Sequence, residues 1–197
     1  MIEALINKNI IFLQNHDVRM NSEEEKEVYK YGLQILYYYL VDLLVIFSLS
    51  CFMNRIYETA IMIFVFGLLQ VFGGGYHAKK PLSCLLIMLS GVIVGVLMIS
   101  IIAGYQNICI ILFIISSVII LIFTPVINKK HPVGKKVYQR SRLIVRSFLF
   151  FIALVMSALI ISNKMYEAAI ITITFCIYTT SLASAKLSSY LSNLINE

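Results

Sequence analysis

Residues Phe72 to Cys84 read FGGGYHAKKPLSC, placing three glycines, one histidine and one cysteine within a short segment between two long apolar stretches. The chemistry this suggests is thiol chemistry, in which a cysteine is the nucleophile and a nearby imidazole takes its proton. A cysteine thiol ordinarily titrates near ~8.5, and only the thiolate attacks efficiently. Pro81 suits the first position of a helix, where its missing N–H is no loss. Cys84 then falls in or just after the first turn, where the positive end of the helix dipole favours the thiolate. His77 and Cys84 on one continuous helix would sit about 10.5 Å apart along its axis, beyond hydrogen-bond reach. The chain must therefore fold back between them, which Pro81 and Gly73-Gly74-Gly75 make possible. Gly74 and Gly75 can also admit a substrate backbone closely or offer N–H groups to an oxyanion. The same residues fit a solvated loop histidine beside a cysteine that packs at a helix end, and spacing alone does not separate the two.

The elements that position this segment are membrane helices. Of 197 residues, 60% are hydrophobic and 13% charged, and the mean hydropathy is +0.89. A soluble domain is about 45–50% apolar and about 25% charged. The composition predicts an all-α integral membrane protein with about six transmembrane helices, each requiring about 20 apolar residues. The predicted spans are 31–53, 56–72, 82–104, 108–127, 143–162 and 166–185, forming one domain of residues 1–197. Residues 1–30 form its N-terminal cytoplasmic or interfacial helices, 31–185 its six-helix bundle and 186–197 a cytoplasmic tail. The first span is expected to direct insertion, since residues 1–30 lack the pattern of a cleavable signal.

Ile2, Leu5, Ile6, Ile10 and Leu13 recur at helical spacing and predict an amphipathic interfacial helix over 2–14. Ser22 with Glu25 reads as a capping box opening a second helix that runs into the first span. Gly91 and Gly95 permit close helix approach, read as packing within the chain rather than dimerisation.

Lys and Arg set the orientation. Fourteen fall on one side of the predicted topology and only Arg55 and Lys164 on the other. Both termini and the His77–Cys84 loop of a multi-pass protein are therefore expected to face the cytoplasm. A net charge of +6 is thus topogenic, and no nucleic-acid partner is expected. The stretch holding Lys129, Lys130, His131, Lys135 and Lys136 anchors to anionic lipid or receives an acidic peptide. Cys51, Cys84, Cys109 and Cys176 show no metal-type spacing, so neither metal nor cofactor is expected. Gln34 reads as an interfacial residue or as an orienter of the imidazole. Asp42, an acid within the first span, reads equally as functional or as a protonated or paired structural group.

These residues together resemble the accessory gene regulator protein B (AgrB) family of quorum-sensing membrane endopeptidases. The likeness rests on EKEVYKYGLQ at the opening of span one, GGYHAKKPLSC, TPVINKKHPVGKK and the six-span layout. It implies a cysteine endopeptidase that removes the C-terminal tail of an AgrD-like precursor through a thioester acyl-enzyme. The precursor's own cysteine or serine then closes a thiolactone or lactone ring. By the likeness Cys84 is the nucleophile, His77 the general base and Gln34 a polar residue supporting the pair. It also leaves room for a homodimer. The chain departs from the family at Gln70, where a basic residue often precedes the glycines, so no substrate contact carries over at that position. From charge rather than from the likeness, Lys129, Lys130, Lys135 and Lys136 are assigned to the precursor's acidic tail. The competing readings are a small peptide transporter, with Asp42, Gln34 and Gln70 lining a polar path, and a scaffold that only recruits a partner.

Overall fold

A computed structural model describes residues 2–15, 23–76, 81–126 and 135–194. All regular structure among them is helical. Seven helices follow in order: α1 (Ile2–Asn15), α2 (Glu23–Phe52), α3 (Ile56–Gly73), α4 (Pro81–Ala103), α5 (Gln106–Phe123), α6 (Lys135–Ile161) and α7 (Met165–Leu194). The last six are each long and apolar enough to cross a membrane. Large apolar side chains cover their outer faces: Phe64 is 64% exposed, Ile122 64% and Phe150 69%. Such a surface suits hydrocarbon and not water.

The contacts divide the chain into two compact units, Met1–Phe52 and Met53–Glu197. In the first, α1 lies against α2 with Ile6 and Ile10, one turn apart, buried and the Asn9 amide hydrogen-bonded to the Tyr37 hydroxyl. Leu5, Ile11 and Phe12 of α1 are exposed. A helix, Ile2–Asn15, covers the segment 2–14. Ser22 of the expected capping box lies outside the described residues.

In the second unit α7 packs against α3, α4, α5 and α6. It is the least hydropathic of the six spans and the most buried. A helix surrounded by protein rather than lipid can carry hydroxyls, provided each is bonded. Thr174 donates to the Ile170 carbonyl at 2.7 Å, and Thr172 pairs with the Cys109 thiol at 3.2 Å. Ala168, Ile171, Phe175, Tyr178 and Leu182 of α7 meet Val65 and Leu69 of α3 in one core with Phe113 and Ile120 of α5. From α6 come Val145, Leu149, Ile152 and Met156, whose helical spacing draws one stripe down that helix. Phe113 and Phe175 sit with ring centroids 5.2 Å apart. Gly95 of α4 faces Met62, Ile173 and Ile177, and a Cβ there would collide with Met62 and crowd Ile177. Gly95 thus serves packing within the chain, whereas a Cβ on Gly91 would sit at ordinary contact distance from Ile177.

Most span boundaries fall within two residues of those predicted, and three in the second unit differ by more. Helix α5 stops at Phe123 rather than at residue 127, because Pro125 has no N–H and disfavours helical geometry at Thr124. The Thr124 N–H and hydroxyl both turn back to the Ile120 carbonyl, at 3.0 and 2.6 Å. Helix α6 begins at Lys135, eight residues before the apolar run, since KKVYQRSR contains no helix breaker once Gly134 is passed. Helix α7 continues through residue 186 to Leu194, where a tail was expected.

At the end of this unit remote from the glycines, Arg55, Glu58 and Tyr166 close a three-way cluster. The Arg55 guanidinium donates to Glu58 at 2.8 Å and reaches the Tyr166 hydroxyl at 2.6 Å, while that hydroxyl donates to Glu58. The hydrogen bond to Glu58, with smaller contributions from Tyr166, pushes the Arg55 pKa up and keeps it charged. A carboxylate that is 6% exposed needs such partners to remain at a membrane edge. The cluster ties the α2–α3 turn to the first turn of α7.

Candidate functional site

Pro81 opens α4, as its chemistry predicts, and puts Cys84 at the fourth helical residue. The Cys84 side chain is half-buried. His77, with Ala78, Lys79 and Lys80, lies outside the described residues, as do Lys129, Lys130 and His131. Gln34 and Asp42 are half-buried on α2, in the first unit. Lys135 and Lys136 occupy the first turn of α6 and are exposed. Cations there oppose the helix dipole, so helix stability does not explain them.

The segment leading to His77 is held tightly. Gly74 has φ +74° and ψ −170°, a conformation essentially confined to glycine, and its N–H donates to the Gln70 carbonyl at 3.0 Å. That bond closes α3, so the Gly74 N–H is committed to a cap rather than offered to an oxyanion. The Gly73 carbonyl accepts the Val126 N–H at 2.9 Å from the segment after α5. The Gly74 carbonyl accepts the Tyr178 hydroxyl of α7 at 2.7 Å, and the Leu69 carbonyl lies 3.0 Å from the same oxygen. The Tyr76 N–H donates to the Ser181 hydroxyl at 3.0 Å, and the Gln70 amide donates to the Tyr76 carbonyl at 3.5 Å.

Packing explains the glycines as much as torsion does. A Cβ on Gly73 would strike the Tyr178 hydroxyl, and one on Gly75 would strike the Gln70 amide and the Ser181 hydroxyl. A Gly74→Ala substitution is expected to destabilise the protein by about 1–3 kcal/mol, the usual cost of forcing a side chain into such a conformation. Thermal unfolding in detergent measures it. An unchanged midpoint would show that the loop adopts another backbone path.

Sequence reasoning did not single out Tyr178 and Ser181. Their signal is faint: two hydroxyls three residues apart, hence on one face, within an apolar span. The Gln70 amide, noted as a departure from the family and as part of a polar path in the transporter reading, has a local role in gripping Tyr76.

With this arrangement known, comparison with other proteins fixes the family. The family model described as Accessory gene regulator B matches residues 6–182, nearly the whole chain. The chain belongs to the accessory gene regulator B family. It is also 27% identical, over 142 residues, to a protein of Clostridium acetobutylicum described as a putative AgrB-like protein. That alignment covers 72% of this chain and 67% of the relative. No solved structure matches the chain significantly. Membership in the AgrB family associates the chain with processing of a quorum-sensing peptide, and its six apolar helices make it a multi-pass membrane protein. A peptide precursor is accordingly its partner.

Proposed function

We propose that this protein is a cysteine endopeptidase and peptide cyclase that acts on an AgrD-like precursor at the cytoplasmic face of the membrane. The observation that carries the reading is Cys84 at the N-terminal end of α4, seven residues after His77, in a chain of the AgrB family.

His77 takes the Cys84 proton, and the thiolate attacks the carbonyl carbon of the peptide bond before the precursor's tail. The tetrahedral intermediate collapses with cleavage of the C–N bond. The imidazolium returns its proton to the departing amine, which releases the tail with a free amino terminus. The retained part of the precursor is left on Cys84 as a thioester. A thiol within that retained part then loses its proton and attacks the thioester carbon. Cys84 leaves as a thiolate and is reprotonated, and a thiolactone ring closes; a serine hydroxyl in the same place gives a lactone. Water competes poorly because the nucleophile is tethered, with effective molarities that can reach ~10⁵ M or more for well-oriented groups. The edge of the bilayer limits access of bulk water to the thioester. Lys129, Lys130, Lys135 and Lys136 receive the acidic tail, and their charge screens with salt as surface attractions do.

Intact-mass analysis of the protein in nanodiscs, mixed with the precursor encoded beside it, tests this. The expected result is a hydroxylamine-labile adduct of the precursor minus its tail. Turnover of precursor with no adduct under rapid acid quench, together with full activity after Cys84 alkylation, would exclude covalent catalysis and favour transport.

A further inference from the structure

We propose that Tyr178 and Ser181 of α7 are positioning residues for the general base, because their hydroxyls grip Gly74 and Tyr76 in the loop whose next residue is His77. The inference rests on the assignment of His77 and Cys84 above, and deepens it by naming what holds the base in register.

The two groups differ in kind. Tyr178 is fully buried and its oxygen lies within hydrogen-bond distance of two main-chain carbonyls, Leu69 in the last turns of α3 and Gly74 beyond its end. Its ring meets Phe66 edge-on at 5.9 Å between centroids, which fixes the direction of the hydroxyl. Ser181 is half-buried and accepts the N–H of Tyr76. With the Gln70 amide on the Tyr76 carbonyl, both main-chain polar groups of the residue before His77 are held. Val126 adds a tie from the end of α5 through the Gly73 carbonyl.

Helix packing alone does not require this arrangement. A loop at a helix end could leave its main-chain groups to water. Here three elements, α3, α7 and the segment after α5, meet on four successive residues. The glycines at 73 and 75 are what allow Tyr178, Gln70 and Ser181 to approach so closely. His77 follows two fixed peptide groups, whereas Cys84 is carried by a different element, α4. The distance between base and nucleophile therefore depends on anchoring the loop independently of α4. A displacement of about 1 Å at such a pair can cost on the order of 10²-fold in rate.

The test uses the full-length protein in nanodiscs and the precursor encoded beside it, with Ser181→Ala, Tyr178→Phe and the conservative Ser181→Thr. Two readouts are taken: kcat and KM for release of the precursor's tail, and the rate of Cys84 alkylation by iodoacetamide against pH, followed by peptide mass mapping. At pH ~6.5 an ordinary thiol is almost wholly protonated, so alkylation there reports pairing with the imidazole. Ser181→Ala is expected to lower kcat by about 10–100-fold with KM little changed and to remove the low-pH alkylation. Above pH ~9.5 its alkylation should match wild type, because the thiol ionises unaided. Ser181→Thr, which keeps a hydroxyl acceptor, should restore both. Tyr178→Phe should act in the same direction, and if loss of that buried hydroxyl prevents assembly, the half-buried Ser181 carries the test.

A kcat within about twofold of wild type in Ser181→Ala, or a slowing of alkylation that is equal at every pH, would overturn the positioning role. His77→Ala separates the two levels. If it abolishes low-pH alkylation while Ser181→Ala does not, the inference fails and the catalytic assignment stands. If His77→Ala leaves both cleavage and the alkylation profile intact, the catalytic assignment fails, and the inference with it.

Discussion

On the proposed mechanism, Cys84→Ala is expected to end release of the precursor's tail and formation of any hydroxylamine-labile adduct. The expected loss is on the order of 10⁴-fold or more, since removal of the nucleophile removes the covalent route entirely. No other thiol can substitute from within the core. Cys109 is buried against Thr172, and the Cys176 thiol lies 3.4 Å from the Ser116 hydroxyl between α5 and α7. Cys51 is exposed one residue before Phe52, the last residue of α2. The fold should survive, because the substitution shortens one half-buried side chain in the first turns of α4 and a change of about 1 kcal/mol or less is expected. Mass analysis of the precursor products, alongside thermal unfolding of the variant, reads both effects at once. Tail release that persists at wild-type rate in a well-folded Cys84→Ala protein would sink the covalent mechanism.

His77→Ala carries the second largest effect. Loss of a positioned general acid–base group costs typically 10²–10⁴-fold, and a fall of roughly that size in kcat is expected near neutral pH. The direction of the pH dependence follows from the thiol. On the proposed mechanism the base takes the Cys84 proton near neutrality, so the acylation rate is expected to level off early. Without it, the rate should climb as pH rises through ~8.5, where the thiol ionises on its own. The rescue should remain incomplete, because the departing amine still needs a proton that the imidazolium would have supplied. Single-turnover rates of tail release between neutral and alkaline pH check this. An unaltered profile in His77→Ala would move the base to another residue.

The membrane class, the number of spans and the start of α4 were legible because each depends on local properties. Twenty apolar residues in a row have few alternatives to a spanning helix. A proline followed by an apolar run announces a first turn. The helix ends were read less well where apolarity and helicity part company. Residues 124–127 are apolar enough to prolong α5, but Pro125 stops it. Residues 135–142 are too charged to count as membrane-spanning, yet form the first turns of α6. Hydropathy measures solvent preference, and backbone hydrogen bonding decides where a helix stops.

A six-span helical membrane protein of the AgrB family, with Cys84 on the opening turns of its helix, is already written in the order of the residues. Those properties lie in composition, in short motifs and in backbone rules that act within a few residues. Long-range packing alone makes α7 the central helix of the second unit and brings Tyr178, Ser181 and Val126 onto the glycine loop. Tyr178 and Gly74 are separated by more than a hundred residues, and no local rule links a hydroxyl to a carbonyl so far away. Such a bond exists because packing of α7 against α3, α4, α5 and α6 fixes both partners. The high cost of an unpaired main-chain group in a low-dielectric surround then favours the arrangement that satisfies it.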